Sequence, residues 1–311
     1  MVQVKGFVGD QAKRESERDG RMNLRRAYFL YLLSVIMFGC NGIIASHIAQ
    51  SSITIVFFRL SLGSLFLLTI ILLRRQGREL IRYPKDLLYV ILSGMAMGVS
   101  WLFLYEAFDR VGVGIASLLY ACGPVLVMAL SPLIFKEHLT RLKCSAFAVV
   151  FLGVCLINGT ELNFGGDWWG VACGLLSAVT YALMVIANKQ AKDLSGLANT
   201  QVQLLAGLVT VCTFMAVRGA FDFSIAPSDW PWIFVLGVIS TGFACLLYFS
   251  AINRLPAQSI AVLGYLEPLT ALFLSALLLG EKLYALQIPG AVFILGGAFV
   301  AEVIGGRRQT S

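Results

Sequence analysis

Ten long apolar runs, separated by short polar stretches, leave this chain few ways to fold. They cover 27–49, 53–73, 87–108, 111–135, 142–157, 168–187, 198–217, 230–252, 257–279 and 286–304. At 1.5 Å of rise per residue, about 20 apolar residues in a helix cross a hydrocarbon layer of about 30 Å. Lipid offers no hydrogen-bond partners, so a spanning segment must satisfy its own backbone, which a helix does. Composition points the same way. Only 13% of the chain is charged and 58% is hydrophobic, against about 25% charged in ordinary soluble domains. The expected fold class is an all-α membrane protein with ten transmembrane helices.

The basic residues fix an expected orientation. With the N-terminus in the cytoplasm, 20 Lys and Arg fall on inside segments, including Arg74, Arg75, Lys136, Lys189, Lys192 and Arg254. Outside segments hold only Arg110, Arg218 and Lys282, and Arg59 lies within a span. Cytoplasmic loops of membrane proteins are enriched in positive charge, so both termini are expected inside. The net charge of +7 is then a topology signal, and no nucleic-acid partner is expected. Residues 1–26 are polar, with no apolar segment of the kind a cleavable signal needs.

The chain also resembles itself. A shift of 144 residues, without a gap from 98 to 153, lays Gly98 on Gly242, Ala107 on Ala251 and Arg110 on Arg254. The same shift lays Pro124 on Pro268, Ser131 on Ser275, Glu137 on Glu281 and Gly153 on Gly297. Each repeat has five spans, an odd number, so the second enters the bilayer upside down relative to the first. The expected organisation is a polar cytoplasmic tail (1–26), a first five-helix repeat (27–158), a second, inverted five-helix repeat (168–305) and a short cytoplasmic tail (306–311). Inverted repeats are a hallmark of secondary transporters, which bind cargo near the midplane and open alternately to each side.

Several short stretches resemble the EamA-like branch of the drug/metabolite transporter superfamily. They are Phe38-Gly39-Cys40-Asn41, Phe58-Arg59-Leu60, Tyr181-Ala182, Leu266-Glu267-Pro268-Leu269 and Leu279-Gly280-Glu281-Lys282-Leu283. The resemblance covers roughly 27 to 305. It implies a central cavity and export of small metabolites, amino acids especially, from the bacterial inner (plasma) membrane without ATP hydrolysis. The first repeat departs from the pattern, with Phe135-Lys136-Glu137-His138-Leu139, and with Gly123-Pro124 where the second has Glu267-Pro268.

The candidate site residues are polar groups at membrane depth. Glu267 sits near the middle of the ninth span, where a charge costs at least about 2.5 kcal/mol and faces a wet cavity or a partner. It is read as a proton carrier, as a contact for a substrate amine, or as a packing residue that bonds backbone freed by Pro268. Pro124 and Pro268 are hinge candidates, with ordinary kinks the alternative. Arg59 lies about 9 Å from the outer end of its span. It either snorkels outward or pairs in a cavity with Glu106 or a substrate carboxylate. Its counterpart in the repeat is Gln203. Asn41, Tyr105, Tyr120, Tyr181, Tyr248 and Tyr265 complete the cavity candidates, with helix-to-helix hydrogen bonding as the alternative role.

No phosphate-binding loop, HExxH or Gly-x-Ser-x-Gly motif occurs, so neither an enzyme nor an ATP-driven pump is expected, and no cofactor or metal site is read. The expected function is a secondary transporter that exports a small amphipathic metabolite, an amino acid or amine, by alternating access. Proton coupling is left open, and the expected partners are the cargo and the lipid bilayer. The alternatives are a carrier of a nucleotide-like or anionic metabolite, a multidrug exporter and, from another class, an intramembrane lipid-modifying enzyme or a non-transporting receptor.

Overall fold

The computed structural model describes residues 24–75, 83–137, 140–158, 167–194, 196–221, 223–278 and 286–300. The described residues are helical, joined by short turns. In order, the helices are α1 (Leu24–Gly39), α2 (Asn41–Ala45), α3 (Ser52–Leu73), α4 (Pro84–Tyr120), α5 (Cys122–Phe135), α6 (Arg141–Asn158), α7 (Trp168–Gln190) and α8 (Gly196–Arg218). After α9 (Trp230–Phe234) comes a π-helical segment (Val235–Phe243), and then α10 (Ala244–Ile252), α11 (Ala257–Gly264), α12 (Leu266–Leu278) and α13 (Gln287–Phe299).

Among the described residues, six stretches are long and apolar enough to cross a membrane: Leu24–Ala45, Ser52–Leu73, Pro84–Val111, Trp168–Gln190, Gly196–Arg218 and Trp230–Ile252. Cys122–Phe135, Cys144–Leu156 and Ile288–Gly297 are shorter apolar helices. The outward faces are apolar, as a lipid solvent requires: Leu133 is 80% exposed and Val209 64%. The interior carries what the lipid face cannot. Ser34, Ser93, Ser100, Ser177, Asn188, Thr200, Gln203 and Thr241 are all buried. This is a multi-pass membrane protein.

Helix packing here relies on small residues and interhelical hydrogen bonds, because lipid gives no hydrophobic drive between helices. Gly98 is one such contact, since a Cβ there would lie 2.8 Å from the Gly207 carbonyl. Ser93 Oγ donates to the Met184 carbonyl at 2.7 Å, and Ser100 Oγ to that of Ser177 at 2.9 Å.

Those contacts also show that α4 is not straight. Residues 93, 100 and 110 meet α7 at 184, 177 and 170, an antiparallel run. Leu119 and Gly123 then meet α7 at Gly174 and Tyr181, a parallel run. The chain therefore reverses near residue 111 while keeping helical geometry, and the two expected runs at 87–108 and 111–135 meet there. The second repeat makes the corresponding reversal as an open turn at Asn253–Pro256 between α10 and α11.

A second difference concerns the prolines. Both were expected to remove a backbone donor in mid-helix. Instead each is the third residue of a new helix, Pro124 in α5 and Pro268 in α12. The first N–H groups of a helix have no intrahelical acceptor, so proline there costs no bond. The breaks come earlier, at Ala121 and Tyr265, which are equivalent under the 144-residue shift.

Candidate functional site

The two breaks touch. The Tyr265 hydroxyl donates to the Ala121 carbonyl at 2.6 Å, in a buried contact. Tyr265 is 1% exposed and packs on Phe147, with ring centroids 5.7 Å apart. The bond thus joins equivalent positions of the two repeats.

The first span is also broken close by, at Cys40 between α1 and α2. A Cβ on Gly39 would lie 2.9 Å from the Glu267 carbonyl and 2.7 Å from Thr270 Cβ, so the span can approach only because residue 39 lacks one. Asn41, which opens α2, has a buried Oδ1 with no hydrogen-bond partner among the described residues.

Glu267 is partly buried in the first turn of α12, where the unpaired N–H groups of the helix start favour a carboxylate. No ion pair to it occurs among the described residues.

Arg59, from α3, is 3% exposed and does not snorkel. Its Nε donates to Thr241 Oγ1 at 3.0 Å and its Nη1 to the Tyr105 hydroxyl at 3.2 Å. The guanidinium lies 4.0 Å from the centroid of the Trp101 ring, a cation–π contact. Its Nη2 is buried without a hydrogen-bond partner among the described residues. Pairing with Glu106, one of the alternatives, is not made. Glu106 bonds Arg110 at 2.6 Å, and Arg110 bonds Asp167 at 3.2 Å, in an exposed cluster. There the Gly170 amide and then Arg110 hold the Asp167 carboxyl below its usual range.

A line of tyrosines joins several helices. The Tyr120 and Tyr181 ring centroids are 5.3 Å apart, the Tyr181 and Tyr248 hydroxyls 3.5 Å, and the Tyr248 and Tyr31 centroids 5.4 Å. The structure thus bonds Arg59 to Tyr105, lines up Tyr120, Tyr181 and Tyr248, and sets Glu267 and Asn41 beside the break in the first span. Gln203 lies elsewhere. Its amide donates to Ser93 Oγ at 2.8 Å and accepts from Asn188 at 3.1 Å, within a network that includes Asn199. That network ties α4, α7 and α8 together.

Sequence reasoning missed Thr241, Trp101 and Tyr31. Thr241 reaches Arg59 from the π-helical segment, bonding back to the Leu236 carbonyl at 2.8 Å. π-bulges are frequent at functional sites. A wide groove of about 790 Å³ between α4 and α8, lined by Met95, Leu102, Leu205 and Val209, lies apart from this interior.

The comparisons agree with the architecture. Two copies of the EamA-like transporter family model match, at residues 25–159 and 168–302. The uncharacterized transporter YxxF of Bacillus subtilis is 29% identical over 285 residues, covering 89% of each chain. An uncharacterized transporter of Haemophilus influenzae is 27% identical over 292 residues, covering 90% of this chain and 94% of its own. A crystal structure superposes with a TM-score of 0.78 at 19% identity, over 92% of this chain and 99% of that one, and so shares the fold. With two copies of one family model spanning nearly its whole described length, this chain belongs to the EamA-like transporter family.

Proposed function

We propose that the protein is a secondary transporter of the bacterial inner membrane that exports a small amphipathic metabolite, an amino acid or amine, by alternating access. In this reading ten spans form two inverted five-helix repeats, 27–158 and 168–305, with both termini in the cytoplasm. The observation that carries it is the meeting of the two broken spans at Tyr265 and Ala121, with Glu267 in the first turn after one break and Arg59 buried with an unpartnered donor. Broken helices at a repeat interface are where transporters of this kind bind cargo.

The chemistry suits a zwitterion. Arg59 has a free donor for a carboxylate, and Glu267 offers an acceptor for an ammonium group. The tyrosines supply apolar faces with polar tips for the cargo's body. The unpartnered Nη2 also supports a second reading, a carrier of an anionic metabolite in which Arg59 does most of the recognition. Nothing in either reading requires covalent chemistry or a nucleotide.

Counterflow in proteoliposomes tests it. Vesicles preloaded with a mixture of amino acids and amines, without ATP, should accumulate labelled cargo. Flux that needs ATP would overturn the secondary-transport reading.

A further inference from the structure

Three chain ends meet on one side of the molecule: the end of α5, the end of α7 and the turn between α10 and α11. α11 begins at Ala257, and its capping position is Pro256, whose side chain cannot accept a hydrogen bond. The first amides of α11 would therefore lack acceptors. Glu137 supplies both. Its Oε1 accepts from the Ala257 amide at 2.8 Å and its Oε2 from that of Gln258 at 3.3 Å. Lys189 does the converse for α10, donating to the carbonyls of Ile252, at 3.3 Å, and Leu255. Its Nζ lies 5.3 Å from the centroid of the Phe135 ring. Asn253 closes the set, donating to the Ala191 carbonyl at 2.8 Å.

We propose that Glu137 and Lys189 are the latch that holds this face of the transporter shut, and that their release opens it. Every bond in the set joins a side chain to backbone at a helix end. Such groups exchange a protein partner for water at a small net cost, somewhat larger where a charge is involved. The same bonds deep in hydrocarbon would have no water to replace them. The exposed Lys136, Lys192 and Arg254 surround the set, so water reaches this rim. It is the side that the charge distribution assigns to the cytoplasm.

The latch also connects to the interior. α11 is eight residues long, about 12 Å of helix, with Ala257 at one end and the Tyr265 break at the other. Tyr31 fixes it part-way, donating to the Ile260 carbonyl at 2.8 Å. A movement at Glu137 is thus delivered by one short rigid rod to the break that precedes Glu267.

The inference rests on the alternating-access reading, but its test needs no cargo. Spin labels at Lys136 and Arg254, in otherwise cysteine-free protein in nanodiscs, report the separation across the latch by pulsed electron resonance. Wild type should give a predominant short distance. Glu137→Gln and Lys189→Met should each add a longer one, raising the open-to-closed ratio about tenfold, as loss of a charge-assisted bond implies. Glu137→Asp, which keeps the charge but shortens the reach, should fall between. An unchanged distance in the folded variants, with only a lower melting temperature, would make Glu137 a simple helix cap and overturn the latch while leaving transport intact. Absence of flux with the longer distance present would instead overturn the transport reading alone.

Discussion

The two repeats share a skeleton and differ in chemistry. Both break a span at the same place, Ala121 in one and Tyr265 in the other, and both resume with a proline as the third residue of the next helix. Around that common frame they diverge. The second repeat has a π-helical segment, an open turn at Asn253–Pro256 and a carboxylate at Glu267. The first has a continuous α4 and Gly123. Arg59 and Gln203 are equivalent by the 144-residue shift, yet one lies in the interior with an unused donor and the other is bonded at both ends of its amide. The repeats thus share their geometry and differ in the polar groups they carry.

The largest expected effect tests whether the acid belongs to the second repeat alone. Glu267→Gln should lower flux roughly tenfold to a hundredfold, the scale of a lost hydrogen bond to a charged group. Moving the acid to its mirror position should not rescue it. A Cβ at Gly123 would lie 2.6 Å from Tyr181 Cδ1, so Gly123→Glu overpacks the site, at about 1–3 kcal/mol. Flux restored in the double variant would dissolve the distinction between the repeats. Near-normal flux in Glu267→Gln would assign Glu267 to structure.

Next comes the latch. Glu281, the sequence counterpart of Glu137, lies outside the described residues. On the register of the repeat, Glu281→Gln should add no longer component to that spin-label distance. A shift in the same direction as Glu137→Gln would mean that the two glutamates do not act as mirror images.

A smaller effect separates Arg59 from Gln203. Gln203→Leu strands Asn188 and Ser93 in the α4–α7–α8 network and should cost about 2 kcal/mol, read as a lower melting temperature. Arg59→Met removes a buried charge that has no carboxylate partner among the described residues. It should leave the melting temperature of the cargo-free protein unchanged or raised while abolishing stabilisation by a transported carboxylate. Equal destabilisation by both changes would make Arg59 as structural as its counterpart.

The smallest concerns the outer cluster. The Asp167 carboxyl is held below its ordinary range by the Gly170 amide and Arg110. Its contribution is complete above the unfolded carboxylate range and fades as pH falls through the lowered folded value. Asp167→Asn keeps the helix cap, so its melting temperature should match wild type in strong acid and fall slightly short of it near neutrality. A larger gap in acid than at neutrality would reverse the sign.

Six of the spans and the twofold repeat were legible because length and spacing carry them. The breaks were only half legible. Pro124 and Pro268 drew attention to the right turns, but a proline at the start of a helix does not cause the interruption before it. Arg59 was ambiguous because both faces of its helix are apolar, so periodicity cannot say which side meets lipid. Thr241 was invisible, since one extra residue in a helical turn leaves no trace in composition. Glu137 stood out as a repeat match with Glu281, but its partners lie 120 and 121 residues away, in a turn whose position only the fold supplies.

The contact between Tyr265 and Ala121 bears on how such a chain could have arisen. Two identical subunits related by a two-fold axis must put the same side chain on both sides of it. Two tyrosines facing each other at this spot would compete for one space, and two alanines would leave it empty. A large residue reaching across to a small one's carbonyl is open only to copies free to carry different residues. The Tyr265–Ala121 bond is thus one that two repeats carrying different residues at equivalent positions can make.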